Sequence, residues 1–371
     1  MINNPRKLIQ LFQKFFVNVF MLRAGYILIL FILSISVNAQ IGGRAVYSFL
    51  DLNYSARNAA LGMNMIPVFD KDIHNALANP SFISKELHNH LGFSVTNYMT
   101  DITYGSAVFS YHFKEKLNFL TGIRYLNYGE FIYSDVYGNK YGTFKAAEYA
   151  LNIASSYAIN DYWRTGASLN FIYSSYEKYN SSALALDYAI SFVKPEKLFT
   201  STLMIRNLGF QLFSFSRQNP EPLPLDVRIG LSKKPQHMPL RFIVVAHHLN
   251  IPNFAYLDPA KQKVTDLNGN PITVKVPFTE KLFRHFDVGG EFVLSDNFNI
   301  RLGYSHQRRK ELSLTTRPGL AGYSWGFGLK ISKFHISYGN CIYHLAGGSN
   351  TFSVTANLSE FTSKKKQHSD N

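Results

Sequence analysis

The stretch that decides the fold is Phe286-Asp287-Val288-Gly289-Gly290-Glu291-Phe292-Val293-Leu294, followed after Ser295-Asp296-Asn297 by Phe298-Asn299-Ile300-Arg301-Leu302-Gly303-Tyr304-Ser305-His306. In the first run Phe286, Val288, Phe292 and Leu294 share one face, while Asp287, Glu291 and small residues share the other. The second run sets Phe298, Ile300, Leu302 and Tyr304 against Asn299, Arg301, Gly303 and Ser305. Residues 225–232 repeat the pattern, with Leu225, Val227, Ile229 and Leu231 against Asp226, Arg228, Gly230 and Ser232. Strand side chains point to opposite faces in turn, so a period of two gives a sheet with one apolar and one polar face. A soluble sandwich shows the same alternation, and the connections decide between the two.

About 14 such runs lie between Leu91 and Leu358, each roughly 8–12 residues, the length that crosses a bilayer as a tilted strand. Even-numbered connections are terse: Phe113–Lys116, Asn160–Asp161, Lys194–Lys197, Lys233–Pro239, Ser295–Asn297 and Ser332–Lys333. Odd-numbered ones are mostly longer, notably 128–147, 208–224, 250–285 and 307–319. Short turns at one end and long loops at the other describe an outer-membrane barrel, with turns in the periplasm and loops outside. Closure is required, because an open edge in lipid leaves backbone groups unpaired. The expected fold is all-β: a transmembrane antiparallel barrel.

The start of the chain reads as an export signal. Residues 1–23 carry Arg6, Lys7, Lys14 and Arg23 and no acid, an apolar stretch from Tyr26 to Val37 follows, and Val37-Asn38-Ala39 precedes Gln40. That order describes a secretory signal peptide over 1–39. Met21 would open a signal of ordinary length and is a candidate start. Residues 40–90 are not strand-like. They hold an alanine-rich run, Ser55 to Leu61, able to form a short helix closed by Gly62, and then Asn79-Pro80, where proline keeps Asn79 out of helical geometry. This segment is expected to plug the lumen or cap the barrel. The barrel itself occupies 91–361, and 362–371 form a polar tail.

Composition fits this address. The chain has 23 Tyr and 31 Phe, and Tyr favours membrane interfaces. Without residues 1–39, 34 Lys and Arg stand against 24 Asp and Glu, a net of +10. The excess is spread over turns, loops and the Lys364–Lys366 tail, with no helix-borne basic stripe. Anionic outer-membrane lipid and lipopolysaccharide are therefore the expected charged partners, and nucleic acid is not. A single cysteine, Cys341, excludes an intramolecular disulfide. Histidine pairs such as His247-His248 lack metal-ligand spacing, and no catalytic constellation or cofactor loop is defined.

Several elements together resemble the PorQ family, FadL-related outer-membrane barrels of the type IX secretion system of Bacteroidetes. They are Phe49-Leu50-Asp51-Leu52 with Ser55-Ala56-Arg57, Val68-Phe69-Asp70-Lys71-Asp72, Asn79-Pro80, Glu221-Pro222-Leu223-Pro224, His247-His248-Leu249, Gly303 to Glu311, and Tyr343-His344-Leu345-Ala346-Gly347. Met63 after Gly62, and Ser81-Phe82 after Asn79-Pro80, depart from the family pattern. The resemblance implies a FadL/PorV-like barrel without enzymatic activity. It also implies that the barrel anchors a PorZ-like surface protein of the attachment complex that modifies and tethers secreted cargo.

Candidate partner-binding residues are the loop aromatics Phe131, Tyr133, Tyr137, Phe213, Phe215 and Tyr256, with Arg308 and Arg309 beyond a strand end. The same rings are equally suited to pack the loops over the barrel mouth. With Ser295-Asp296-Asn297 as the turn, Glu291 faces Arg301, which predicts a cross-strand ion pair in the lumen. Asp187, Asp226, Arg228, Asp287 and Lys330 should line the same lumen. The competing reading is a FadL-like transporter of a small hydrophobic compound, for which this charged lumen is a poor conduit. A purely structural envelope protein is the third reading.

Overall fold

The computed structural model describes residues 45–62, 66–114, 116–216, 220–252, 264–265, 271–272, 276–313, 319–345 and 347–362. The expected signal peptide, nearly all of the expected polar tail and Tyr256 lie outside the described residues.

Fourteen antiparallel strands close into one barrel. They are β1 (His90–Asn97), β2 (Thr103–Lys114), β3 (Leu117–Ser134), β4 (Lys140–Ala158), β5 (Trp163–Tyr176), β6 (Tyr179–Lys194), β7 (Phe199–Phe213), β8 (Asp226–Lys233), β9 (Leu240–Ala246), β12 (Phe286–Val293), β13 (Phe298–Ser305), β14 (Tyr323–Ile331), β15 (Phe334–His344) and β16 (Gly347–Asn357). The two-residue strands β10 (Val264–Thr265) and β11 (Pro271–Ile272) pair only with each other. Strand β1 closes the barrel against β16 from His90↔Asn357 to Asn97↔Asn350. An even strand number puts both barrel termini at the end that carries the short turns, the periplasmic end of such barrels.

Period-two burial follows the sequence. Phe93, Val95, Leu169, Leu203, Leu302 and Phe352 are exposed on the outer face, where lipid solvates them. Many inward positions are polar, and Thr96, Ser106, Asn152, Asp187, Asp226 and Glu291 are buried, while others such as Leu120, Leu126 and Ile172 are apolar and face the plug. Among the described residues no helix is long and apolar enough to cross a membrane; the strands make the crossing.

Two sequence expectations need correction. Residues 128–147 are mostly strand: β3 and β4 run 18 and 19 residues, and only Asp135–Asn139 turns between them. Stacked cross-strand rings keep this ladder going, Phe131 on Phe144 at 5.0 Å and Tyr133 on Tyr141 at 5.6 Å. Residues 208–213 likewise continue β7, paired with β6 to Phe213. The wall is therefore uneven. Strands β3 to β7 have 14–19 residues, while β8, β9, β12 and β13 have 7–8.

The N-terminal segment fills the lumen. Val46 donates to the Pro222 carbonyl at the loop end (3.1 Å). The chain then descends through helix α1 (Ala56–Ala60) and helix α2 (Ile73–Ala78) to the turn end, where β1 begins. Ser55 caps α1, and Gly62, at φ 101°, ends that turn in a conformation that favours glycine. Asn79 is extended at φ −138° and accepts a hydrogen bond from Ser81 N (3.1 Å), which seats Pro80 at the start of a 3₁₀ turn. Helix α1 lies directly on the wall because glycines face it. A Cβ on Gly339 would sit 2.1 Å from the Ala56 carbonyl oxygen, and one on Gly303 2.2 Å from the Leu61 carbonyl carbon.

Candidate functional site

The plug is held differently on its two sides. Toward the long strands it packs by apolar contact. Tyr47, Phe49, Leu50 and Tyr54 bury themselves against Tyr104, Leu126, Ile172 and Leu223. Lower down, Ile73, Phe82, Ile83 and Leu87 meet Val108, Leu120, Ala154 and Val193. Wall side chains then clamp the exit of the plug. Arg164 donates from Nη2 to the Ile83 carbonyl (3.0 Å) and from Nε to the Ser81 carbonyl (3.2 Å), and Ser81 and Ser191 hydroxyls meet at 2.7 Å.

Toward the short strands Leu61, Ile66 and Val68 still pack on Ile243 and Val245 of β9, but beside them the contact is ionic. Glu291 and Arg301 are register partners, and Arg301 Nε lies 2.9 Å from Glu291 Oε1. The other carboxylate oxygen, Oε2, receives Arg57 at 2.7 Å and Arg241 at 2.6 Å. Arg57 also reaches Asp70 at 2.6 Å and Asp72 at 3.5 Å. Three guanidiniums thus meet three carboxylates, so the buried charge is balanced. Ion pairs taken out of water hold only when their remaining polar atoms are satisfied this way. Burial raises the Asp72 carboxyl, but Arg57 together with His74, His335 and Arg301 outweighs it and holds that group below the ordinary aspartate range.

The Glu291–Arg301 pair follows from strand register; the parts supplied by Arg57, Asp70 and Arg241 do not. The available signal was charge inside a segment of otherwise small and apolar residues, in Ser-Ala-Arg and Asp-Lys-Asp. Beside this network a cavity of about 690 Å³ opens at the turn end, lined also by Lys71, Glu86, Asp296, Lys330, Lys333, His335 and Glu360. Its walls are charged, so it suits water and polar solutes and gives no purchase to a hydrocarbon.

Other lumen charges cluster nearer the loop end. Arg228 pairs with Asp226 (2.5 Å) and approaches Asp51 (3.7 Å), and Asn207 N donates to Asp187 (2.7 Å). His247 lies 3.5 Å from Asp287. Among the described residues no group of three or more His, Cys, Asp or Glu side chains is arranged to hold a metal ion.

At the rim, Tyr137 is 88 % exposed at the hairpin tip and Phe213 is 74 % exposed at the end of β7. Phe215 lies against Tyr176 at 5.3 Å, and Phe131 and Tyr133 sit in the β3–β4 ladder. Arg308 is not a surface residue. It lies on helix α4 (His306–Leu312), counting helix α3 (Phe278–Phe283) before it, and it is buried. Its guanidinium donates to the Gly62 carbonyl at 3.0 Å and to Cys341 Sγ, over the Tyr343 ring. Ser305 caps the helix and turns Arg308 inward, so it ties the plug to the wall. Arg309 stays at the rim, donating to the Gly319 carbonyl (2.6 Å). On the same rim Glu280 gathers Lys310 (3.2 Å), Arg284 (3.3 Å) and His306 (3.4 Å).

No protein-family model and no curated protein matches this sequence. Likeness is found in solved structures. The toluene transporter TbuX of Ralstonia pickettii aligns with a TM-score of 0.51 at 10 % identity, over 83 % of this chain and 99 % of that one. A deletion mutant of the monoaromatic hydrocarbon channel TodX gives 0.50 at 10 % identity, over 82 % and 99 %. A FadL homologue of Pseudomonas aeruginosa gives 0.49 at 12 % identity, over 82 % and 98 %. The fold is the closed outer-membrane barrel that these structures share. At such identity the likeness concerns the fold, and what passes through those neighbours is a property of theirs. In an outer-membrane barrel with its short turns in the periplasm, the 690 Å³ cavity opens toward the periplasm and the tall rim of β3–β7 stands on the outer side.

Proposed function

We propose that this barrel is a non-enzymatic anchor that holds a surface protein on its outer rim. In the finer form, the partner is a PorZ-like component of the type IX attachment complex, with other components of that complex and lipopolysaccharide nearby. The observation that carries the reading is the uneven wall. Five long strands lift exposed aromatics such as Tyr137 and Phe213 above the membrane, on a sheet whose lower part is backed by a packed plug. Rigid aromatic anchors on a preorganised surface suit protein docking. The sequence elements shared with the PorQ family support the finer form.

A second reading, transport of a small hydrophobic compound, is favoured by the likeness to TbuX. Against it stand the plug, the balanced ion network and the charged lining of the cavity. The deciding experiment is gentle extraction of native membranes and affinity capture of the barrel. Docking predicts a stoichiometric surface protein that is lost when the tip around Asp135–Asn139 and residues 214–224 are trimmed while the barrel still folds. Recovery of the barrel alone with a fatty or aromatic molecule inside would establish transport instead.

A further inference from the structure

Above Arg206 the barrel wall has an open edge. Strand β7 pairs with β8 only from Phe199 to Arg206, where the ladder stops at Asp226. On its other side β7 stays paired with β6 up to Phe213. Among the described residues no strand pairs with the β8 side of Leu208–Phe213, so alternate N–H and C=O groups there point out of the sheet. The departure starts at Asn207, which is left-handed at φ 56° opposite a register shift between Leu186 and Tyr188.

Among the described residues the chain's own continuation makes no main-chain ladder with this edge. Upstream of β8, Pro220-Glu221-Pro222-Leu223-Pro224 keeps only two N–H groups, and that of Glu221 goes to the Gln211 side chain at 2.7 Å. From there the segment turns into the lumen. Leu223 is buried with Tyr47 and Leu50, and the Pro224 carbonyl accepts from Asn207 Nδ2 at 2.9 Å.

The edge is also apolar on its outer face, where Leu208, Phe210 and Leu212 are 47 %, 62 % and 40 % exposed. Free edges are ordinarily blunted by charge or proline, and residues 207–213 contain neither. At ~3.3 Å per residue and a tilt of ~40°, seven residues rise roughly 18 Å beyond the level where β8 ends. In lipid such an edge is costly; in water it is a template.

We propose that Leu208–Phe213 receives an extended strand from a surface protein, which lengthens the β3–β7 sheet by one strand. This rests on the docking reading above and names its place and mode. Main-chain hydrogen bonds supply affinity, and alternate apolar side chains of the incoming strand lie beside Leu208, Phe210 and Leu212. A second copy of this chain is a poor occupant. Two barrels in one membrane present β7 in the same direction, so only a parallel pairing is offered, and each β8 stands in the way below Arg206.

The test uses single cysteines placed in turn at 208 to 213 of the full chain in native membranes; the one native cysteine, Cys341, is buried. Each carries a short photo-crosslinker. The expected result is one surface protein crosslinked at 208, 210 and 212 and weakly at 209 and 211. Its retention should fall at least tenfold in the Phe210→Lys, Leu212→Lys double variant, with the heat-modifiable migration of the barrel unchanged. Amide exchange of 208–213 in the complex gives a readout independent of that variant, with alternate amides protected. Retention unaffected by the lysines but lost on trimming Asp135–Asn139 would overturn the edge and leave docking standing. Crosslinked dimers of this chain would overturn it in favour of self-association. No surface protein at any rim position would sink docking itself.

Discussion

The two sides of the lumen hold the same plug by different physics. Toward β2–β7 the plug buries aromatic and aliphatic side chains, an interaction that is non-directional and indifferent to salt and pH. Toward β9, β12 and β13 a smaller apolar cluster of Leu61, Ile66 and Val68 on Ile243 and Val245 is joined by three arginines and three carboxylates beside a cavity. The apolar side coincides with the tall wall and the ionic side with the low one. A rigid platform therefore stands on one half of the barrel, while the other half carries a latch whose strength depends on charge balance.

The largest expected effect breaks the latch. Arg57→Met leaves Glu291, Asp70 and Asp72 without their shared cation, and removal of one partner from a buried ion network costs about 3–5 kcal/mol. Guanidinium unfolding in detergent micelles measures it. A loss below about 1 kcal/mol would mean that water already satisfies these carboxylates. On the other side Leu50→Ala opens a cavity in the apolar cluster and should cost about 2–4 kcal/mol, unchanged between low and high salt. Salt dependence in Leu50→Ala, or its absence in Arg57→Met, would erase the contrast.

Gly339→Ala sharpens it at the place where α1 touches the wall. The new methyl would meet the Ala56 carbonyl at 2.1 Å, and the forced shift of α1 should cost about 1–3 kcal/mol and carry Arg57 off Glu291. Acid should weaken the Arg57 network through Asp72. Because the Asp72 carboxyl is held below its ordinary range, its contribution is fully present above about pH 4 and fades as pH falls through the lowered folded value. Protease cleavage of the ionic side of the plug should rise in that window, with the apolar clusters still protected. The smallest effect lies at the tall tip. Asp135 accepts hydrogen bonds from Tyr137 N and Asn139 N, so Asp135→Ala should speed amide exchange at those two residues without moving the unfolding midpoint.

The sequence by itself determined the barrel, its strand number and the polarity of its two faces. Period-two alternation and terse turns act locally, and strand register follows from a turn of known length, as Glu291 and Arg301 illustrate. Helix α1 with its closing Gly62, and the extended Asn79 before Pro80, were legible for the same reason. Only the tertiary structure decided which lumen charges the plug's own charges meet. Arg57 and Glu291 are far apart in the chain, and nothing local tells a plug arginine which strand it will face. It also decided that 128–147 stays paired, because stacked rings across β3 and β4 extend a ladder that each strand alone does not announce. Arg308 followed the same rule in reverse. In sequence it is a basic residue past a strand end; in the fold, a capped helix turns it inward onto Gly62 and Cys341. Alternation is a property of neighbours along the chain, while pairing of charges, the height of a wall and the openness of an edge belong to segments that only closure of the barrel brings together.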